Sequence, residues 1–261
     1  MSKPVTKLRE NSNMAEFLSV GDRQIAVLRR AGRGPGLFWL SGFRSDMTGS
    51  KAVAVDSFGE SHGLGVTRFD YSGHGQSGGD FNLGTISRWL EEAAAVFDTT
   101  SGPQILIGSS MGGWLALLLS RALRRRGSDR VVGLLLIAPA TDMTELMLAQ
   151  MPKKYQKLLD KQGYVDTPSE YSADPYRINK ALLDDGKQHL LFGREIETGC
   201  PVTILQGARD KDVPKEHSMK LVQHLLTDPV TLTLVPDGEH RMSRPQDLAV
   251  LEKAIEQLIA H

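Results

Sequence analysis

Gln104-Ile105-Leu106-Ile107-Gly108-Ser109-Ser110-Met111-Gly112-Gly113-Trp114-Leu115-Ala116-Leu117-Leu118-Leu119 is the stretch on which the reading of this chain turns. Residues 104–107 read as a buried strand, and the apolar run 114–119 reads as a buried helix. The joint between them is Gly-x-Ser-x-Gly. That spacing puts a serine at the apex of a sharp strand-to-helix turn, with its hydroxyl lifted clear of the sheet. Gly108 and Gly112 let the strand and helix approach closely, and Gly113 extends that room. The first amides of the helix point to where negative charge would develop. Ser110 is therefore the candidate nucleophile. Taken alone, the pentapeptide also fits a glycine-rich turn that merely packs tightly, so its flanks and the rest of the chain must decide.

Working outward, strand-like runs alternate with helical patterns. Strands are expected at 24–29, 37–40, 65–69, 131–137, 202–205 and 230–235. Helices are expected at about 49–61, along the stripe Ile86, Trp89, Leu90, Ala93, Ala94, Phe97, and at about 246–260. Gly32-Arg33-Gly34-Pro35-Gly36 reads as a turn. This order predicts an α/β fold with a mostly parallel sheet and helices on both faces, formed by one domain over 1–261. The rhythm breaks at about 141–199, which is read as a small cap inserted above Ser110. Within it, Asp142-x-x-Glu145 resembles a capping box opening a helix with Met143, Leu146, Met147 and Met151. Pro168 and Pro175 punctuate a turn-rich middle, and a second helix is expected at about 177–191. Methionine is adaptable, so Met143 and Met147 are candidate walls of an acyl-chain groove. The alternative is that they only pack the cap onto the domain.

A serine alcohol at neutral pH needs a base within hydrogen-bond reach. In an arrangement of this kind the partners follow in the order Ser, acid, His, each just beyond a later strand. Asp210 follows strand 202–205, and His240 follows strand 230–235 through Pro236-Asp237-Gly238-Glu239. Asp212 and Asp142 are weaker candidates for the acid, and Asp142 reads better as a solvated N-cap. Of the seven histidines, only His240 follows the last strand through a glycine-containing loop. His74 sits in an earlier glycine turn, where a structural hydrogen bond fits better. The oxyanion hole calls for two backbone N–H donors. Met111, next after the nucleophile, supplies one. Phe43, in the loop Ser41-Gly42-Phe43-Arg44-Ser45, is the expected second, with Arg44 as its alternative.

Bulk composition excludes several classes. Lys plus Arg and Asp plus Glu number 31 each in 261 residues, so no general attraction to nucleic acid or anionic membrane is expected. No apolar run reaches the length of a membrane span. The single cysteine, Cys200, permits no internal disulfide and reads as a buried structural thiol. Residues 1–13 are polar and lack the apolar core of a secretory signal, so a cytoplasmic protein is expected. No metal and no cofactor are expected; the expected partner is a small-molecule or acyl substrate.

Together these pieces resemble the α/β-hydrolase superfamily over nearly the whole chain. Asp70-Tyr71-Ser72-Gly73-His74-Gly75-Gln76-Ser77 looks like its turn before the elbow, and Gly207-x-x-Asp210-x-x-Val213-Pro214 looks like its acid loop. Ser41-Gly42-Phe43-Arg44-Ser45-Asp46-Met47-Thr48-Gly49-Ser50-Lys51-Ala52 is similar to the subgroup of palmitoyl-protein thioesterases and acyl-glucuronide esterases with their bacterial relatives. The resemblance implies an esterase or thioesterase with Ser110, Asp210 and His240 as its triad. Many superfamily members carry His-Gly in the oxyanion loop. Here Ser41-Gly42 keeps the backbone donor but removes one means of fixing the loop. C–C bond or amide hydrolysis on the same triad, and an inactive binding protein on a hydrolase fold, are the competing readings.

Overall fold

A computed structural model of the protein describes residues 14–167 and 176–260. The run that opened the sequence reading forms β5 (Gln104–Ser109) and α3 (Met111–Arg125), with only Ser110 between them. Around them the chain builds β1 (Glu16–Val20), β2 (Arg23–Arg30), β3 (Arg33–Leu40), α1 (Ser50–His62), β4 (Leu64–Phe69) and α2 (Ile86–Asp98). Beyond α3 come β6 (Val131–Ile137), α4 (Met143–Gln150), α5 (Lys153–Gln162), β7 (Tyr164–Thr167), β8 (Tyr176–Asn179) and α6 (Lys180–Gly186). The chain closes with β9 (Val202–Gly207), α7 (Lys215–Val222), β10 (Val230–Val235) and α8 (Pro245–Ile259).

Eight strands form one sheet in the order β1-β2-β4-β3-β5-β6-β9-β10. β2 is antiparallel to both β1 and β4, and every other neighbouring pair is parallel. Parallel strands need helical crossovers, which cover both faces. The two faces can be read residue by residue. Phe38, Leu40, Leu106, Leu134 and Leu136 pack with α2, α3 and α7. Their neighbours Leu37, Trp39, Ile105, Ile107, Leu135 and Ile137 pack with α1 and α8. Alternation within fully apolar strands is what a sheet buried on both sides requires. The mostly parallel sheet flanked by helices is therefore as the sequence predicts.

Three local expectations change. The glycine-rich stretch 32–36 is not a free turn, because β3 already begins at Arg33 and pairs with Leu64 before a register break at Leu37. A Cβ on Gly32 would lie 2.1 Å from the Leu64 carbonyl carbon, so glycine there serves close strand approach. The segment 141–199 holds more structure than its composition suggests. β7 and β8 pair antiparallel, and α5 is an additional helix whose narrow apolar stripe hides among lysines. The expected helix at 177–191 is shorter, because 176–179 is strand and α6 ends at Gly186, followed by a single 3-10 turn. Met151, Leu159, Val165, Ile178 and Leu183 form a small apolar cluster of this segment's own. Side chains tie it down: Asp185 accepts from Ser87 N (2.8 Å) and Ser87 Oγ (2.7 Å), and Trp114 Nε1 donates to His189 O (3.3 Å). Pro168 and Pro175 lie outside the described residues. Among the described residues no helix is long and apolar enough to cross a membrane.

Candidate active site

Ser110 sits at φ +55°, ψ −117°, a conformation that few L-residues adopt. The strain is held from both sides: Ser110 N donates to Ile137 O (2.9 Å), and Ala140 N donates to Ser110 O (3.1 Å). The flanking glycines are steric necessities. A Cβ on Gly108 would lie 2.2 Å from Gly112 O, and one on Gly112 would lie 2.0 Å from Leu40 O. So the strand, the helix and the loop after β3 meet backbone to backbone around the serine.

The loops after β9 and β10 bring the other two predicted residues to it. His240 Nε2 lies 3.1 Å from Ser110 Oγ, and His240 Nδ1 lies 2.8 Å from Asp210 Oδ2. The Asp210 side chain is fully buried, while the imidazole keeps about a fifth of its surface (18%). Asp210 Oδ1 accepts from Asp212 N (3.0 Å) and Val213 N (2.8 Å), and Oδ2 also accepts from Gln206 Nε2 (3.2 Å). These donors hold the carboxylate in line with His240. Asp210, Asp212 and His240 lie close enough to offer a metal ion three ligand atoms. Both Asp210 oxygens already accept hydrogen bonds, however, and Nδ1 faces one of them, which is the geometry of an acid orienting an imidazole.

Asp142 is a correction. It is no solvated N-cap: it is 4% exposed, its backbone is left-handed (φ +56°), and it makes no side-chain cap. Its carboxylate instead accepts from Leu191 N (2.7 Å) and Phe192 N (2.9 Å), joining both ends of the 141–199 segment. Burial raises its pKa, and the two amide donors oppose that rise.

The two proposed oxyanion donors belong to neighbouring segments. A Cβ on Gly42 would lie 3.4 Å from the Ser110 Cβ, so the loop carrying Phe43 passes directly over the elbow. Among the described residues neither Phe43 N nor Met111 N donates to another group. Arg44 N is committed elsewhere, donating to His74 Nε2 (3.3 Å). Three residues on, Met47 N donates to Asp70 Oδ1 (2.7 Å) and Met47 O accepts from Arg68 Nη1 (2.9 Å). Lys51, in the first turn of α1, reaches across to the loop of His240, donating to Arg241 O and to Ser243 Oγ (3.3 Å). Burial lowers its pKa to about 8.

These residues open on a cavity of about 1060 Å³ that contains Ser110 and His240 in its wall. Met143 and Met147 both line it, together with Leu146, Met151, Tyr155 and Ile178. Arg44, Lys51, Tyr176 and Arg241 line it as well, and the sequence reading singled out none of them for this wall. The Arg44 guanidinium lies over the rings of Phe81 (4.7 Å) and Tyr176 (4.8 Å). Nothing local in the sequence marks Tyr176, which reaches the wall only because β8 pairs with β7. Cys200 is buried, its thiol pushed up to about 11 by that burial, and it belongs to the core cluster.

With the geometry in view, comparison with known proteins is informative. A family model described as serine aminopeptidase, S33 matches residues 52–247. Mouse mitochondrial palmitoyl-protein thioesterase ABHD10 is 35% identical over 237 residues, 90% of this chain and 78% of that protein. A putative hydrolase from Agrobacterium vitis S4 superposes with a TM-score of 0.89 at 48% identity, covering 94% of this chain and 98% of that one. The structure of the mouse ABHD10 protein superposes with a TM-score of 0.85 at 33% identity, covering 95% and 98%. The chain belongs to the α/β-hydrolase family and is a serine hydrolase of that family, similar to the ABHD10 thioesterases.

Proposed function

We propose that this protein cleaves carboxylic esters or thioesters through an acyl-enzyme on Ser110, with His240 as the proton carrier and Asp210 as its orienting acid. One observation carries the reading: Ser110 Oγ, His240 and Asp210 form a continuous hydrogen-bonded chain of 3.1 and 2.8 Å. In the first step Oγ attacks the acyl carbonyl and Nε2 takes its proton. The imidazolium keeps its Nδ1 proton and is stabilised by the Asp210 carboxylate that accepts it in a hydrogen bond. Charge developing on the carbonyl oxygen is met by the Phe43 and Met111 amides, each such donor contributing on the order of 3 kcal/mol to the barrier. Collapse of the tetrahedral intermediate expels the leaving group, which His240 protonates if it is an alkoxide. A thiolate is the better leaving group and depends less on that protonation. Water activated by Nε2 then attacks the acyl-enzyme, and a second collapse frees the acid and the serine.

The substrate class is proposed from the wall. Met143, Leu146, Met147 and Met151 give the cavity an adaptable apolar side suited to an acyl chain. The mouse relative's name, palmitoyl-protein thioesterase, supports a long acyl group and a sulfur ester. The test is turnover of matched oxygen esters, thioesters and anilides over a series of acyl lengths. Rates should rise with chain length for both ester types and stay low for the anilides. Preferred cleavage of an anilide or of a diketone carbon–carbon bond would replace this proposal with the amidase or C–C hydrolase reading. Inertness towards every substrate would favour a binding protein.

A further inference from the structure

We propose that His74 is a positioning residue for the oxyanion loop, holding the Phe43 amide in place by accepting the neighbouring Arg44 N–H; the inference rests on the acyl-transfer reading above. From within, the loop is closed by one turn bond, Ser45 N to Gly42 O (3.1 Å), and its start is tied by Trp39 Nε1 donating to Ser41 Oγ (2.9 Å). The loop after β4 adds two further holds from outside. His74 Nε2 accepts from Arg44 N at 3.3 Å, and Asp70 Oδ1 accepts from Met47 N at 2.7 Å. Arg44 adopts φ +56°, a left-handed conformation that an arginine disfavours; the Ser45 N–Gly42 O turn bond spans it, and the His74 acceptor holds its N–H from outside. The 43–44 peptide unit adjoins the Phe43 amide. Releasing Arg44 N frees the rotation that swings that donor, and it leaves Arg44 N competing for the same oxygen.

The hook is itself rigidly mounted. His74 is 4% exposed, and its ring lies against Tyr71, Phe81 and Trp89, with centroids 5.7, 5.0 and 5.2 Å away. His74 Nδ1 faces Ser72 O at 3.2 Å, where it can only donate. That fixes the tautomer and leaves Nε2 with the lone pair that Arg44 N requires. Ser72 is anchored in turn to α2: its N–H donates to Glu92 Oε2 (2.9 Å), and its carbonyl accepts from Trp89 Nε1 (3.3 Å). A chain of contacts thus runs from α2 through Ser72 and His74 to the peptide beside the oxyanion donor.

The test compares His74→Gln, His74→Asn and His74→Leu by steady-state hydrolysis of a p-nitrophenyl ester, with thermal melting to confirm folding. Glutamine can place an acceptor near the Nε2 position, asparagine only near Nδ1, and leucine none. His74→Gln should retain kcat to within about threefold, whereas Asn and Leu should lose about ten- to a hundredfold in kcat with KM little changed. Should the leucine variant not fold, the Gln–Asn comparison carries the test. Equal kcat in all folded variants, or an effect confined to KM or melting temperature, overturns the proposal. Independently of turnover, imidazole nitrogen NMR at neutral pH should show Nδ1 protonated and Nε2 bare; a protonated Nε2 also overturns it. A wild-type protein inert to all esters would overturn the acyl-transfer reading and this role with it. An active wild type insensitive to these substitutions removes only the role of His74.

Discussion

At the scale of single residues, His240 and His74 show opposite uses of one side chain. His240 is partly exposed and sits between a hydroxyl and a buried carboxylate, so it can exchange protons. His74 is buried among aromatic rings, and that burial lowers its pKa to about 4, with the nearby Arg44 charge adding to the effect and Ser72 O and Asp46 opposing it. The sign of its contribution follows. The unfolded ring protonates near pH 6.5 and the folded ring near 4, so stability is full above 6.5 and falls as the pH drops between those values. The loss amounts to about 3 kcal/mol for this one group. Other buried groups around it, Glu92 and Asp70 among them, have raised pKa values and act in the opposite direction. Urea melts of wild type against His74→Gln isolate the term: wild type should lose stability relative to the variant on acidification, and parallel pH profiles would contradict it. For the acid, Asp210→Asn should lower kcat by about 10⁴-fold with the fold intact, because the imidazole then meets the wrong tautomer. Asp212→Asn should keep most activity, and the reverse ranking would reassign the acid. Ser110, Asp210 and His240 are legible because each lies at or in the short loop beyond a strand end. The partners of His74 and Asp142 lie 30 and about 50 residues away, and no local pattern announces them.

At the scale of elements, the elbow was readable because its physics is local: small residues two positions to either side of a strained serine. The prediction at this scale is Gly112→Ala. The added methyl would lie 2.0 Å from Leu40 O, and backbone cannot yield as a flexible side chain does. The variant should lose about 1–3 kcal/mol in denaturant unfolding and lose turnover too, because the loop after β3 must move. Unchanged stability would show that β5, α3 and that loop are not locked together. The segment between β6 and β9 gives little periodic signal in the sequence. Its two strands are four residues each, too short for a clear period-two pattern. α5 carries only Tyr155, Leu158 and Leu159 as apolar residues, and Leu158 is itself exposed. The glycines at 32–36 misled because glycine serves close strand packing as well as turns.

At the scale of the whole molecule, the sheet acts as a common frame. Ser110, Asp210 and His240 follow the ends of β5, β9 and β10, and the loop after β3 passes beside them. Parallel strands place all these loops along one edge, so residues separated by 30 and 130 positions meet. The 141–199 segment then closes that edge into a cavity by docking Asp185 on α2 and Trp114 on its own backbone. This convergence should make Ser110 an activated nucleophile. Incubation of the folded protein with a fluorophosphonate, followed by intact mass and peptide mapping, tests it most directly. A single adduct on Ser110 that disappears in Ser110→Ala and is strongly slowed in His240→Ala is the predicted result. No adduct on folded protein, or one adduct on another side chain, would contradict it.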